Sequence, residues 1–170
     1  MLYLFDLDGT LIEGYMDRSD KDYAPVVVLP RRRLVIQRLI LNGDTCVIVT
    51  NQGGVAFGHV TEAQAWGKIE AAMRATGFMM QRVRTMGDTM PPLVYVAFHH
   101  PNAPAPWNDP VECGWRKPSP HMLLQAMRDY PEAARLGVLY VGDRPEDEEA
   151  ARRASISFQW AHVFFKDGAP

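Results

Sequence analysis

The sequence predicts an α/β protein, a three-layer sandwich with a Rossmann-like parallel sheet of about five strands. Two observations predict it. Short apolar runs of strand length alternate with helix-like segments along the whole chain. The first, second and fourth apolar runs also stop abruptly in polar stretches rich in Asp, Asn or Gly, the residues expected to converge at one rim of such a sheet.

Leu2–Phe5 reads as the first strand, ending at Asp6-Leu7-Asp8-Gly9-Thr10. Residues 11–29, with Gly14 and Pro25, read as an irregular excursion or a small hairpin. Pro30 suits the first position of a helix. That helix carries Leu34, Val35, Ile36, Leu39 and Ile40 as a broad apolar face and stops at Asn42-Gly43. Cys46–Val49 is the second strand. Thr61-Glu62-Ala63-Gln64 has capping-box spacing, so a helix runs from there to about Ala75, with Gly77 ending it. Leu93–Ala97 is the third strand, and residues 98–116 form a long proline-rich loop. Ser119-Pro120 opens a helix that ends before Pro131, and Val138–Val141 is the fourth strand. Pro145 starts a helix through Ala154. Ile156–Phe165 holds a last, patchy strand candidate.

The chain has 170 residues, 47% hydrophobic and 22% charged, which points to one globular domain over 1–170. A net charge of −2 argues against binding nucleic acid through bulk electrostatics. The basic spots, Arg31-Arg32-Arg33 and Arg82 with Arg84, are expected on solvated surfaces. Two cysteines, Cys46 and Cys113, are too few for a disulfide scaffold. No apolar stretch approaches the ~18 residues of a membrane span, and no basic leader precedes a long apolar segment. A cytoplasmic location with no membrane partner is the expectation.

In parallel sheets ligands bind at the carboxyl ends of the strands. Asp6 and Asp8, Thr50-Asn51-Gln52-Gly53-Gly54, and Gly142-Asp143-Arg144-Pro145-Glu146-Asp147 all follow strands, and Arg116-Lys117-Pro118 precedes the helix before strand four. Converging carboxylates repel, and a hard divalent cation such as Mg²⁺ relieves that cost. One carboxylate can attack phosphorus while another serves as general acid and base. Lys117 and the Thr50 hydroxyl can hold non-bridging oxygens.

These four segments resemble, in order, the four motifs of the haloacid dehalogenase superfamily of phosphohydrolases. The resemblance implies Asp6 as nucleophile and Asp8 as general acid/base. It implies Mg²⁺ held by Asp6, the backbone carbonyl of Asp8, and Asp143. Thr50 and Lys117 would bind the transferring phosphoryl group, and Asp147 would support Lys117 or the metal shell. Thr10, Asn51 and Arg116 are the candidate substrate-binding residues, Arg116 for a second, non-reacting phosphate. The segments between motifs are too short for a full cap domain, so a capless, open site is expected.

Thr50–Ala56 and Arg116–Pro120 further resemble a branch that includes heptose-bisphosphate phosphatases, histidinol-phosphate phosphatases and polynucleotide 3′-phosphatase domains. The first two carry a structural zinc on four Cys and His ligands. Only His99 and Cys113 match that set here, so structural zinc is not expected. Packing of Trp107, Trp115 and the prolines is expected to hold the loop instead. The heptose enzymes carry arginine where this chain has Phe57.

The expected activity is hydrolysis of a small sugar or metabolite phosphate through an aspartyl-phosphate. The alternatives are removal of 3′-phosphates from nucleic-acid ends and a non-catalytic phosphate-binding role. The intact set Asp6, Asp8, Thr50, Lys117 and Asp143 argues against the last.

Overall fold

The computed structural model describes residues 1–14, 26–83 and 91–167. Pro25, Arg84 and Met86 lie outside the described residues, as does the side chain of Arg82.

Five strands form one sheet: β1 (Leu2–Phe5), β2 (Thr45–Asn51), β3 (Val94–Ala97), β4 (Val138–Gly142) and β5 (Ser157–Trp160). Their spatial order is β3-β2-β1-β4-β5, and every neighbouring pair is parallel. β1 is therefore central, and its short apolar sequence is buried on both faces.

The helices are α1 (Arg32–Leu41), α2 (Glu62–Thr76), α3 (Met80–Val83), α4 (Pro110–Cys113), α5 (His121–Asp129), α6 (Pro131–Arg135), α7 (Pro145–Arg153) and α8 (Ala161–Phe164). On one face of the sheet, Phe5, Ile48 and Val141 pack with Ile36 and Ile40 of α1, Ile69 and Ala72 of α2, and Ala161 of α8. On the other face, Leu2, Leu4, Val47 and Val49 pack with Met122, Leu123 and Ala126 of α5 and with Ala150 and Ala151 of α7. The period-two alternation of β1 thus divides its side chains between two cores.

The capping box at Thr61 forms as expected: Thr61 Oγ1 accepts from the Gln64 backbone N–H, and Gln64 Oε1 accepts from Thr61 N–H. The excursion after β1 closes as an antiparallel pairing of Ile12 with Val28.

Several expectations change. The first helix starts at Arg32, after a left-handed Arg31, so Pro30 lies ahead of it. Its buried stripe is narrow, Arg32, Ile36 and Ile40, while Leu34 is exposed. Arg32 is not on a solvated surface. Its guanidinium forms a two-pronged ion pair with Asp167, donates to the carbonyl of Thr10 at 2.9 Å, and lies over the Phe165 ring. Those contacts replace the hydration that burial removes. The long loop contains α4, and α6 follows α5 directly. The last strand ends at Trp160, where the chain turns into α8. Trp115 stays more than a third exposed, whereas Trp107 packs on the cluster of Val55, Val60 and Ala65.

Candidate active site

Asp6 is the first residue beyond β1. The register sets Phe5 opposite Ile48 of β2 and Val141 of β4, so the stretches that follow these strands share one rim. There a cavity of about 290 Å³ is lined by Asp6, Asp8, Gly53, Phe57, Lys68 and Arg116, among others. That volume suits a small ligand.

Lys117 is buried and central. Its Nζ reaches Asp6 Oδ1 at 2.5 Å, Asp147 Oδ1 at 2.7 Å, the Val49 carbonyl at 3.1 Å and the Tyr140 hydroxyl at 2.8 Å. Burial alone would make its ammonium lose its proton more readily, but Asp6 and Asp147 overcome that and hold it charged. Tyr140 donates to Asp147 Oδ1 at 2.7 Å. Asp147 Oδ2 accepts from the backbone N–H groups of Asp143 and Arg144 at the start of α7. Both oxygens of Asp147 are thereby engaged.

Burial pushes the Asp6 carboxyl well above the usual carboxylate range; Lys117 opposes the shift, and the charges of Asp147 and Asp143 add to it. Asp143 is raised as well, by burial and then by Asp147, with Arg144 opposing. One oxygen each from Asp6, Asp143 and Asp147 lies within 4.8 Å of the other two, the one such acidic group among the described residues. Hard oxygen donors crowded this closely, with the ionised forms of Asp6 and Asp143 disfavoured by burial, fit a small divalent cation. The Asp8 side chain does not join this cluster. The expected metal ligand of Asp8 was its backbone carbonyl, and its carboxylate turns elsewhere.

That carboxylate accepts from Gln52 Nε2 at 2.7 Å and from Lys68 Nζ at 2.8 and 3.0 Å. Gln52 Nε2 also donates to Thr50 Oγ1 at 2.9 Å, which fixes the buried Thr50 hydroxyl at the end of β2.

The three substrate-binding candidates occupy different positions. Thr10 is fully buried, and its hydroxyl donates to Asp143 Oδ1 at 3.2 Å. Asn51 lines the cavity, but its side-chain amide makes a reciprocal pair with the Lys117 backbone at 3.0 and 3.1 Å. Arg116 lines the cavity, and its Nη1 is buried without a hydrogen-bond partner. Burial eases loss of its proton, with Glu146 opposing. His100 also faces the cavity, against Phe57 at 4.9 Å, and His99 packs on Trp107.

Three residues that the sequence reading left without a role belong to the site: Lys68, Gln52 and Tyr140. Lys68 has a legible signal, since it interrupts the apolar face Ala65, Ile69, Ala72 of α2. Tyr140 has none, because a tyrosine inside an apolar strand reads as core.

Fold and site fit one class of protein, the capless phosphatases of the haloacid dehalogenase superfamily. Comparison with known proteins gives the narrower assignment: a sequence profile of the family "Polynucleotide kinase 3 phosphatase" matches residues 1–165, and the chain belongs to that family of phosphatases. D-glycero-beta-D-manno-heptose-1,7-bisphosphate 7-phosphatase of Escherichia coli (strain K12) is 32% identical over 176 residues, covering 97% of this chain and 78% of that protein. The enzyme of the same name from Pasteurella multocida is 30% identical over 167 residues, covering 97% and 81%. Among solved structures, the D,D-heptose 1,7-bisphosphate phosphatase of B. bronchiseptica, complexed with magnesium and phosphate, superposes with a TM-score of 0.70 at 26% identity. That match covers 99% of this chain and 88% of that one. Among the described residues no helix is long and apolar enough to cross a membrane.

Proposed function

We propose that this phosphatase hydrolyses the monoester of a small sugar or metabolite phosphate through an aspartyl-phosphate on Asp6, with Mg²⁺ at Asp6, the Asp8 carbonyl and Asp143. The observation that carries the proposal is the Asp6 carboxylate itself. It stands at the central strand end, opens on the cavity, is gripped on one oxygen by Lys117, and shares an acidic cluster with Asp143.

Mg²⁺, when bound, supplies positive charge against the ester's oxygens and the crowded carboxylates. Asp6 attacks phosphorus as the ester P–O bond breaks, and the leaving oxygen takes a proton from Asp8. Water then gives a proton to Asp8 and attacks phosphorus. The P–O bond to Asp6 breaks, which restores the carboxylate and frees inorganic phosphate. Thr50, fixed by Gln52, donates its hydroxyl hydrogen to a non-bridging oxygen, and Lys117 neutralises Asp6 beside it. Thr10 and Asn51 act from behind, holding Asp143 and the Lys117 backbone. Arg116 offers its unpartnered Nη1 to the rest of the substrate, such as a second phosphate. The sugar-phosphate substrates in the names of the relatives support a small metabolite, as does the cavity volume. The same reading takes the chain as a single cytoplasmic domain over 1–170 whose 98–116 loop folds without zinc.

Phosphate release is to be measured over a panel of phosphomonoesters that includes 3′-phosphorylated DNA, with Mg²⁺ and with EDTA. Mg²⁺-dependent release from a metabolite, lost on the order of 10⁴-fold or more in Asp6→Asn while the fold persists, is the expected result. Release from DNA ends alone would favour the nucleic-acid reading. A folded chain inert toward every ester would favour a binding role.

A further inference from the structure

α2 presents to the core a face of Ala65, Ile69, Ala72 and Met73, and one charged residue, Lys68, lies within it. The Lys68 side chain is 6% exposed, and its Nζ sits 3.0 and 2.8 Å from the two oxygens of Asp8. An apolar residue would continue the face at no electrostatic cost. A buried ion pair adds little stability over such a residue, because desolvation offsets most of the attraction. Stability therefore does not account for a lysine here. Its position does: Lys68 and Asp8 both line the cavity that holds Asp6.

Asp8 is two residues from Asp6 and shares its loop. A flexible carboxylate so placed would be drawn toward a cation at Asp6 and Asp143. The structure keeps it apart, since the acidic cluster consists of Asp6, Asp143 and Asp147 without Asp8. Gln52 holds Asp8 Oδ2 from one side, and Lys68 engages both oxygens from α2.

We infer that Lys68 is a positioning residue for the reaction: it holds the Asp8 carboxyl out of the cation cluster and toward the leaving oxygen of the ester. The inference rests on the phosphatase reading and on Asp8 as its general acid. In the first step a proton passes from Asp8 to the leaving oxygen as the P–O bond breaks, so loss of Lys68 acts on that transfer. Attack by Asp6 itself is spared.

Two esters of similar shape separate these effects. The p-nitrophenolate of p-nitrophenyl phosphate departs without a proton, whereas phenolate from phenyl phosphate depends on one. kcat/KM, which reports the first step, is to be measured with Mg²⁺ for both esters. The proteins are the wild-type chain, Lys68→Met, Lys68→Arg, Asp8→Asn and the Asp8→Asn/Lys68→Met double variant. General-acid catalysis contributes about 10²–10⁴-fold, so Lys68→Met is expected to lower kcat/KM for phenyl phosphate at least ~10-fold and for p-nitrophenyl phosphate by less than ~3-fold. Lys68→Arg should recover part of the loss. In the Asp8→Asn background Lys68→Met should add nothing, because the residue through which it acts is already gone.

Equal loss on both esters, no loss on either, or an added loss in the double variant would overturn the inference while leaving the phosphatase reading intact. A wild-type chain that cleaves neither ester nor any member of the wider panel would overturn the phosphatase reading, and the inference with it.

Discussion

Tyr140 stands between two buried charges. Its hydroxyl accepts from Lys117 at 2.8 Å and donates to Asp147 at 2.7 Å. Burial, and then the charges of Asp147 and Asp6, push its phenol well above its ordinary value, so it stays a donor at any working pH. Tyr140→Phe removes the bridge and leaves the buried Asp147 short of a donor. The expected cost is about 1–3 kcal/mol of stability by urea unfolding, together with reduced turnover as Lys117 loses a restraint. An unfolding midpoint and turnover both equal to wild type would show that the hydroxyl carries neither role. At this scale the sequence made the charged groups visible, because Asp6, Asp8 and Asp143 follow strands and Lys117 precedes a helix in motif-like segments. It gave Tyr140 and Gln52 no role of their own, since they engage Asp147 and Asp8, 7 and 44 positions away in the chain.

The loop after β1 is the element on which the acidic cluster depends. Gly9 has φ +84°, and a Cβ there would lie 2.2 Å from Asp143 Oδ2. Gly9→Ala therefore combines a strained backbone with a direct clash against an expected cation ligand. The expected outcome is loss of most activity and of Mg²⁺-induced thermal stabilisation, with the rest of the fold retained; a thermal shift series against Mg²⁺ checks it. Unchanged Mg²⁺ stabilisation would place the cation away from this loop. The helices show why element boundaries were less legible than element types. The capping box of α2 is a local device and was readable. α1 begins two residues beyond Pro30, after the left-handed Arg31, and its first residue, Arg32, is tied to Thr10 and Asp167, partners distant in sequence.

Over the whole molecule, the site stores electrostatic cost. Burial raises Asp6 and Asp143 above their ordinary values, so the folded, metal-free chain binds more protons than the unfolded chain between the usual carboxylate range and the raised values. Stability then falls as pH rises through that window and is recovered as pH falls back through it. In EDTA, the contribution of these two groups should favour the folded state at about pH 5 over neutral pH, and Asp143→Asn should flatten that slope. Mg²⁺ should stabilise the wild-type chain more at neutral pH than at about pH 5, because protons and the cation compete for the same oxygens. Urea midpoints across pH, with and without Mg²⁺, check both. Identical slopes for wild type and Asp143→Asn in EDTA would show that Asp143 does not contribute to this pH dependence.

The sequence by itself determined the α/β class, the number of strands, the parallel arrangement and the rim where the polar segments converge. Each of these follows from local periodicity and from the rule that strand-terminal residues of a parallel sheet meet on one side. It also offered Asp6, Asp8, Thr50, Lys117, Asp143 and Asp147 as candidate site residues. Only the tertiary structure decided which groups those side chains meet. It set Asp147 under Lys117, turned Asp8 toward Lys68 and away from the acidic cluster, buried Arg32 behind Thr10, and left Arg116 Nη1 unpartnered in the cavity. The physical reason is that hydrogen-bond direction and desolvation depend on which groups meet in space, and the spacing of residues along a chain does not carry that information.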